Sequence, residues 1–108
     1  MALTRGFKNT IRARAQRDSA FRKALLREGV ESLLSGDLET GKTVLRDYIN
    51  ATVGFAELAE ETGISAKSLM RMLGANGNPH ARHIFQIVAF LQRKEGVRFA
   101  IKQSRSAA

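Results

Sequence analysis

The chain has 108 residues, no cysteine, a single proline and a formal net charge of +8. That length suits one domain with a modest core that needs no metal or disulfide, and the missing cysteine excludes a disulfide framework and a thiolate metal site. No apolar run approaches the roughly 20 residues of a membrane span. The basic N-terminus has no long apolar stretch behind it. A protein with no membrane segment and no secretory signal, acting in the cytoplasm, is therefore expected.

With few turn clusters, the chain reads as helices throughout. A first helix is expected from Phe7 to about Gln16, with Leu3, Phe7 and Ile11 as a thin apolar stripe among Arg5, Lys8, Arg12, Arg14 and Arg17. Asp18 or Ser19 caps a second helix reaching about Leu34. Its apolar set changes face, from Phe21, Ala24 and Leu25 to Leu26, Val30 and Leu33. That leaves two readings, a bend near Gly29 or a helix covered on two sides. Ser35-Gly36-Asp37 is a turn and cap. A third helix then runs from Leu38 to about Thr52 and buries Leu45, Tyr48 and Ile49.

The next stretch, Phe55 to Gly74, carries the most information. On a helical wheel Phe55, Leu58, Ala59 and Thr62 share one side of a helix. Gly63 ends it, where a positive φ is cheap only for glycine. Ile64 fills the corner, and Ser65 caps a further helix by accepting a backbone N–H. In that helix Leu69, Met72 and Leu73 share a side, so Lys67 and Arg71 fall opposite and face outward. A plain helical hairpin would show the same apolar spacing. The added Leu-Ala, Gly-Ile-Ser and cationic outer face favour a helix-turn-helix whose second helix enters the DNA major groove.

A loop follows from Ala75 to Pro79, then a last helix over Ala81 to Lys94 with Ile84, Ile87, Val88 and Leu91 as its stripe. Phe85 and Phe90 lie on its opposite flanks and serve either the core or a two-fold interface. After Gly96 the pattern turns to period two, with Val97, Phe99 and Ile101 alternating with Arg98, Ala100 and Lys102. That predicts a short strand. A lone strand leaves its backbone groups unpaired, so it would seek a second copy or another protein's sheet edge.

Charge is placed unevenly. Residues 1–28 hold eight Lys/Arg against two acids, residues 29–63 two against seven, and residues 64–108 eight against one, for net charges of +6, −5 and +7. Both ends therefore suit a polyanion. Other constellations are weak. His80 and His83 lack a third metal ligand nearby. Glu57, Glu60 and Glu61 form a solvated face with no nucleophile beside them, and Gly74-Ala-Asn-Gly77 precedes no Gly-Lys-Ser/Thr. Low aromatic content argues against single-stranded RNA. No enzyme, cofactor or metal is expected.

From about Gly29 to Ile101 the chain resembles the phage-repressor-like (Xre-type) helix-turn-helix family, in its addiction-module antidote (antitoxin) branch. The residues that carry this are Leu33-Leu34-Ser35-Gly36-Asp37, the hairpin itself, Gly77-Asn78-Pro79 and Gly96-Val97-Arg98. The resemblance implies a compact dimer that binds DNA, often represses its own operon and often neutralises a toxin that cleaves messenger RNA. Phe55 departs from the family, which often has a phosphate-touching Gln there, so that contact must come from elsewhere or be missing.

The expected fold is thus all-α, a five- or six-helix bundle containing a lambda-repressor-like helix-turn-helix with a short C-terminal β-strand. Residues 1–36 would form a basic N-terminal helical extension, 37–95 the DNA-binding domain, and 96–108 the strand and tail. The expected function is a homodimeric, sequence-specific regulator of transcription, a repressor. The alternative is an antitoxin that binds a toxin protein and autorepresses its operon. On double-stranded DNA, Lys67 and Arg71 are the base-edge candidates, with Ser65, Ser68, Asn76, Asn78, His80 and Arg82 as further phosphate or base contacts. Phe85, Phe90, Val97, Phe99 and Ile101 are the candidates for a dimer or partner surface.

Overall fold

The computed structural model describes residues 5–105, so Leu3 of the first apolar stripe and the last three residues of the tail lie outside the described residues. Among the described residues there are six α-helices and no strand: α1 (Arg5–Arg17), α2 (Ser19–Leu34), α3 (Leu38–Ala51), α4 (Gly54–Thr62), α5 (Ala66–Met72) and α6 (Ala81–Glu95). None is long and apolar enough to cross a membrane.

Local chemistry sets the boundaries. Asp18 caps α2, its carboxylate accepting the Phe21 N–H at 3.1 Å, and Asp37 caps α3 through the Thr40 N–H at the same distance. Between them Gly36 takes φ +88°, the left-handed turn that ends α2. The helix α2 is unbroken at Gly29, and both α1 and α3 pack against it, so its two apolar faces are each covered rather than joined by a bend. Its crossing with α3 is lined by glycine. A Cβ on Gly41 would lie 2.6 Å from Leu33 Cδ2, and one on Gly29 would lie 3.2 Å from Leu45 Cδ2. On α1 the residue that packs fully is Ala15, with Ile11 half-buried and Phe7 half-exposed.

One core joins α2 to α6: Leu26, Leu45, Tyr48, Ile49, Phe55, Leu58, Leu69, Leu73, Ile84, Ile87, Val88, Phe90 and Leu91. Each buried Leu or Ile contributes about 1.5–3 kcal/mol by leaving water. Phe90 belongs to this core, at 7% exposure, so α6 is covered over a wider arc than its four-residue stripe implied.

At the edge of the core lies a polar lock. Arg22 Nε donates to both Glu95 oxygens at 3.1 Å, and its Nη1 donates to the Ala15 carbonyl at 2.6 Å. The Tyr48 hydroxyl donates to Glu95 Oε1. Burial first, then the hydrogen bond and charge of Glu95, hold the Tyr48 hydroxyl well above its ordinary range, so it stays a donor.

The expected strand over Val97–Ile101 is absent, and the described residues that follow α6 have no regular secondary structure. A strand needs a ladder, and the described residues of this single chain hold no second strand to supply one. Gly96 closes α6 at φ +76°, the Val97 N–H bonds the Gln92 carbonyl at 3.0 Å, and the Phe99 N–H bonds Gln92 Oε1 at 2.7 Å. Val97 and Phe99 consequently fold back against the core.

Candidate nucleic-acid interface

The site is built on α4, α5 and the loop to α6. Phe55 and Leu58 anchor α4 in the core, with Ala59 packed beside them. The helix ends at Gly63, which takes φ +74° while its N–H bonds the Ala59 carbonyl at 2.9 Å. Ile64 packs into the corner, and Ser65 Oγ accepts the Ser68 N–H at 3.1 Å. The helix α5 has only seven residues, too few to persist alone. Its fully buried Leu69 and Leu73 hold it down, with Met72 partly buried alongside.

That anchoring decides what faces out. Lys67, Met70 and Arg71 are exposed, and neither cation makes a hydrogen bond or ion pair with another described residue. Many other cations are engaged: Arg22 with Glu95, Arg27 with Glu31 at 3.7 Å, and Lys94 with Glu57 at 2.8 Å. The Glu57 hydrogen bond, followed by its charge, raises the Lys94 pKa, so one of the three acids of the α4 face already has a partner.

Beside α5 lies a groove of about 290 Å³ lined by Ser68, Arg71, Met72, Asn76, Gly77, Asn78, Pro79, His80 and His83. Five of the eight DNA candidates meet there: Ser68, Arg71, Asn76, Asn78 and His80. Ser65 and Lys67 sit at the other end of α5, and Arg82 is exposed on the first turn of α6, outside the groove. The His80 and His83 rings stand edge to face, 5.8 Å apart. Among the described residues no three His, Cys, Asp or Glu side chains gather as metal ligands would.

Of the residues expected at a dimer or partner surface, Phe85 and Ile101 are exposed, at 67% and 87%, whereas Phe90, Val97 and Phe99 are taken up within the chain.

Three residues of the site escaped the sequence reading. Met70, to which the sequence pattern gave no role, is 49% exposed on α5. Lys42 and Arg46 on α3 grip the far end of α5. Lys42 Nζ donates to the carbonyls of Gly74 and Gly77 at 2.9 and 2.8 Å, and Arg46 Nη1 donates to that of Leu73 at 3.1 Å. The signal was present: Lys42 stands three before Leu45 and seven before Ile49, a charge on the apolar stripe of α3. No family model, no curated protein and no solved structure matches this chain.

Proposed function

We propose that the chain is a sequence-specific DNA-binding regulator of transcription, a cytoplasmic repressor that acts as a homodimer, with α4–α5 serving as a helix-turn-helix. The observation that carries this reading is the outer face of α5, where Lys67 and Arg71 stand without protein partners and Arg71 borders a groove lined by Ser68, Asn76, Asn78 and His80. Arg71 suits guanine O6 and N7, and the exposed Met70 suits a thymine methyl. Ser68, Asn76, Asn78 and His80, which line one groove, would contact phosphates or bases on that flank. The helix α1 contains several cations and no acid, and it adds to the attraction for a polyanion.

A second reading, an antitoxin that also sequesters a toxin protein, draws on Phe85, a large apolar side chain exposed on α6 and not among the groove residues. The two readings are compatible.

Selection from a randomised duplex pool, followed by fluorescence anisotropy, tests the proposal. One duplex should hold roughly a thousandfold or more over scrambled competitor. Log affinity should fall linearly with log salt as counterions are released. Equal binding to every duplex would remove the sequence-specific reading, and no binding to any would leave protein sequestration.

A further inference from the structure

Lys42 is the most deeply buried charge among the described residues, at 1% exposure. A buried ammonium is costly unless every donor finds an acceptor. Lys42 Nζ donates to Gly74 O at 2.9 Å and Gly77 O at 2.8 Å, and its charge is paired with Glu39 Oε2 at 3.0 Å. Arg46, one turn further along α3, adds the Leu73 carbonyl at 3.1 Å. The Leu73 carbonyl belongs to the cap of α5, and those of Gly74 and Gly77 to the turn that follows it, where no helix supplies donors to all of them.

We infer that Lys42, assisted by Arg46, is a positioning residue for recognition: it fixes the end of α5 and the 74–78 loop, and so sets where Arg71, Asn76 and Asn78 point. The functional half of this inference rests on the DNA-binding reading above. The geometry explains why a charge sits where an apolar side chain would pack more cheaply. A methionine there would fill the space but take the ammonium donor from both carbonyls, leaving Gly74 O only its bond from the Gly77 N–H. Glu39 balances the ammonium, so the clamp supplies direction without adding net charge to the DNA face. Lys42 itself is buried and touches protein acceptors alone, so its loss should blunt discrimination between sequences and leave the salt slope unchanged, unlike the loss of a phosphate contact.

The test is Lys42→Met in the full chain, read by amide hydrogen exchange without DNA and by anisotropy on the selected and scrambled duplexes. The amides of Gly74 and Gly77, bonded to Arg71 O and Gly74 O, should exchange about tenfold faster or more, while buried α3 amides keep their protection. The selected-to-scrambled affinity ratio should fall about tenfold at unchanged salt slope. Unchanged exchange at Gly74 and Gly77 would overturn the inference. So would faster exchange with an intact ratio, or an equal loss on both duplexes with a shallower slope. If Lys42→Met does not fold, Arg46→Gln carries the same expectations at smaller size, since its hydrogen bond is to Leu73 O alone. A wild-type chain with no duplex preference would sink the DNA reading and the recognition role with it, while the exchange result would still decide whether Lys42 holds the loop.

Discussion

Gly77→Ala is expected to destabilise the protein by about 2–4 kcal/mol, although the residue sits in a surface loop. An ideal Cβ there would lie 2.3 Å from the Arg71 carbonyl oxygen, 2.4 Å from that of Met72 and 2.6 Å from the Met72 carbonyl carbon, where ordinary contact begins at 3.4 Å. All three atoms are backbone, so no side-chain rotation relieves the clash, and the loop must retreat by roughly 1 Å. Overpacking of this kind costs about 1–3 kcal/mol. Retreat also stretches the 2.8 Å bond from Lys42 to the Gly77 carbonyl, and a hydrogen bond to a charged group is worth about 1.5–3 kcal/mol. Against this, alanine restricts the unfolded chain and returns about 0.4–1 kcal/mol. The assay is urea unfolding followed by circular dichroism, with Gly6→Ala as control. A Cβ on Gly6 meets nothing within 4 Å on the exposed side of α1, so that change should stabilise by up to about 1 kcal/mol. A Gly77→Ala protein within about 0.5 kcal/mol of wild type would refute the close packing of this loop on α5.

Three further outcomes are expected. Arg71→Ala should leave stability within about 0.5 kcal/mol, since the side chain is exposed and unpaired, and should cost about 1–3 kcal/mol of discrimination at one base pair per half-site; base-by-base substitution of the selected duplex reads this, and an unchanged pattern of preference would remove Arg71 from base recognition. Phe85→Ser should leave the melting temperature near wild type and weaken self-association measured by sedimentation equilibrium, and association as tight as wild type would clear this face of the dimer role. Asp47→Asn should stabilise the protein at neutral pH and lose that advantage in acid. Burial raises the Asp47 pKa against the pull of Arg46 and Lys8, so folding disfavours its ionised form. That penalty is complete above the raised pKa and vanishes as pH falls below the ordinary value of 3.8. Equal stability of the two proteins at neutral pH would refute it.

The helices were legible because their instructions are local. Asp18, Asp37, Gly63 and Ser65 each act within a few residues, and every expected helix boundary lies within about two residues of the structure. The outward turn of Lys67 and Arg71 followed from the placement of Leu69 and Leu73 on the opposite side. What escaped was long-range. Lys42 meets Gly74 and Gly77 at separations of 32 and 35 residues, and Arg22 meets Glu95 at 73. Nothing in a window of one helix distinguishes such a lysine from a solvated one except its place on the apolar stripe. The alternation from Val97 to Ile101 is real, but within the single chain it forms no strand. It lets Val97 and Phe99 lie against the core while Arg98 and Ala100 face out, with Gln92 as the tether in place of a neighbouring strand.

The place of α6 in the core has a consequence for how the protein is made. Five of its residues, Ile84, Ile87, Val88, Phe90 and Leu91, are buried, and Glu95 at its last position closes the lock with Arg22 and Tyr48. A nascent chain that has emerged only as far as Pro79 holds the residues proposed to read DNA except His80 and Arg82, yet lacks the five buried α6 side chains that complete the core beneath α4 and α5. Such a chain has helical segments but no fixed surface, because short helices gain most of their stability from packing. The surface proposed to bind DNA therefore takes its final form only when α6 is in place, and a chain that stops before α6 is expected to bind any duplex poorly.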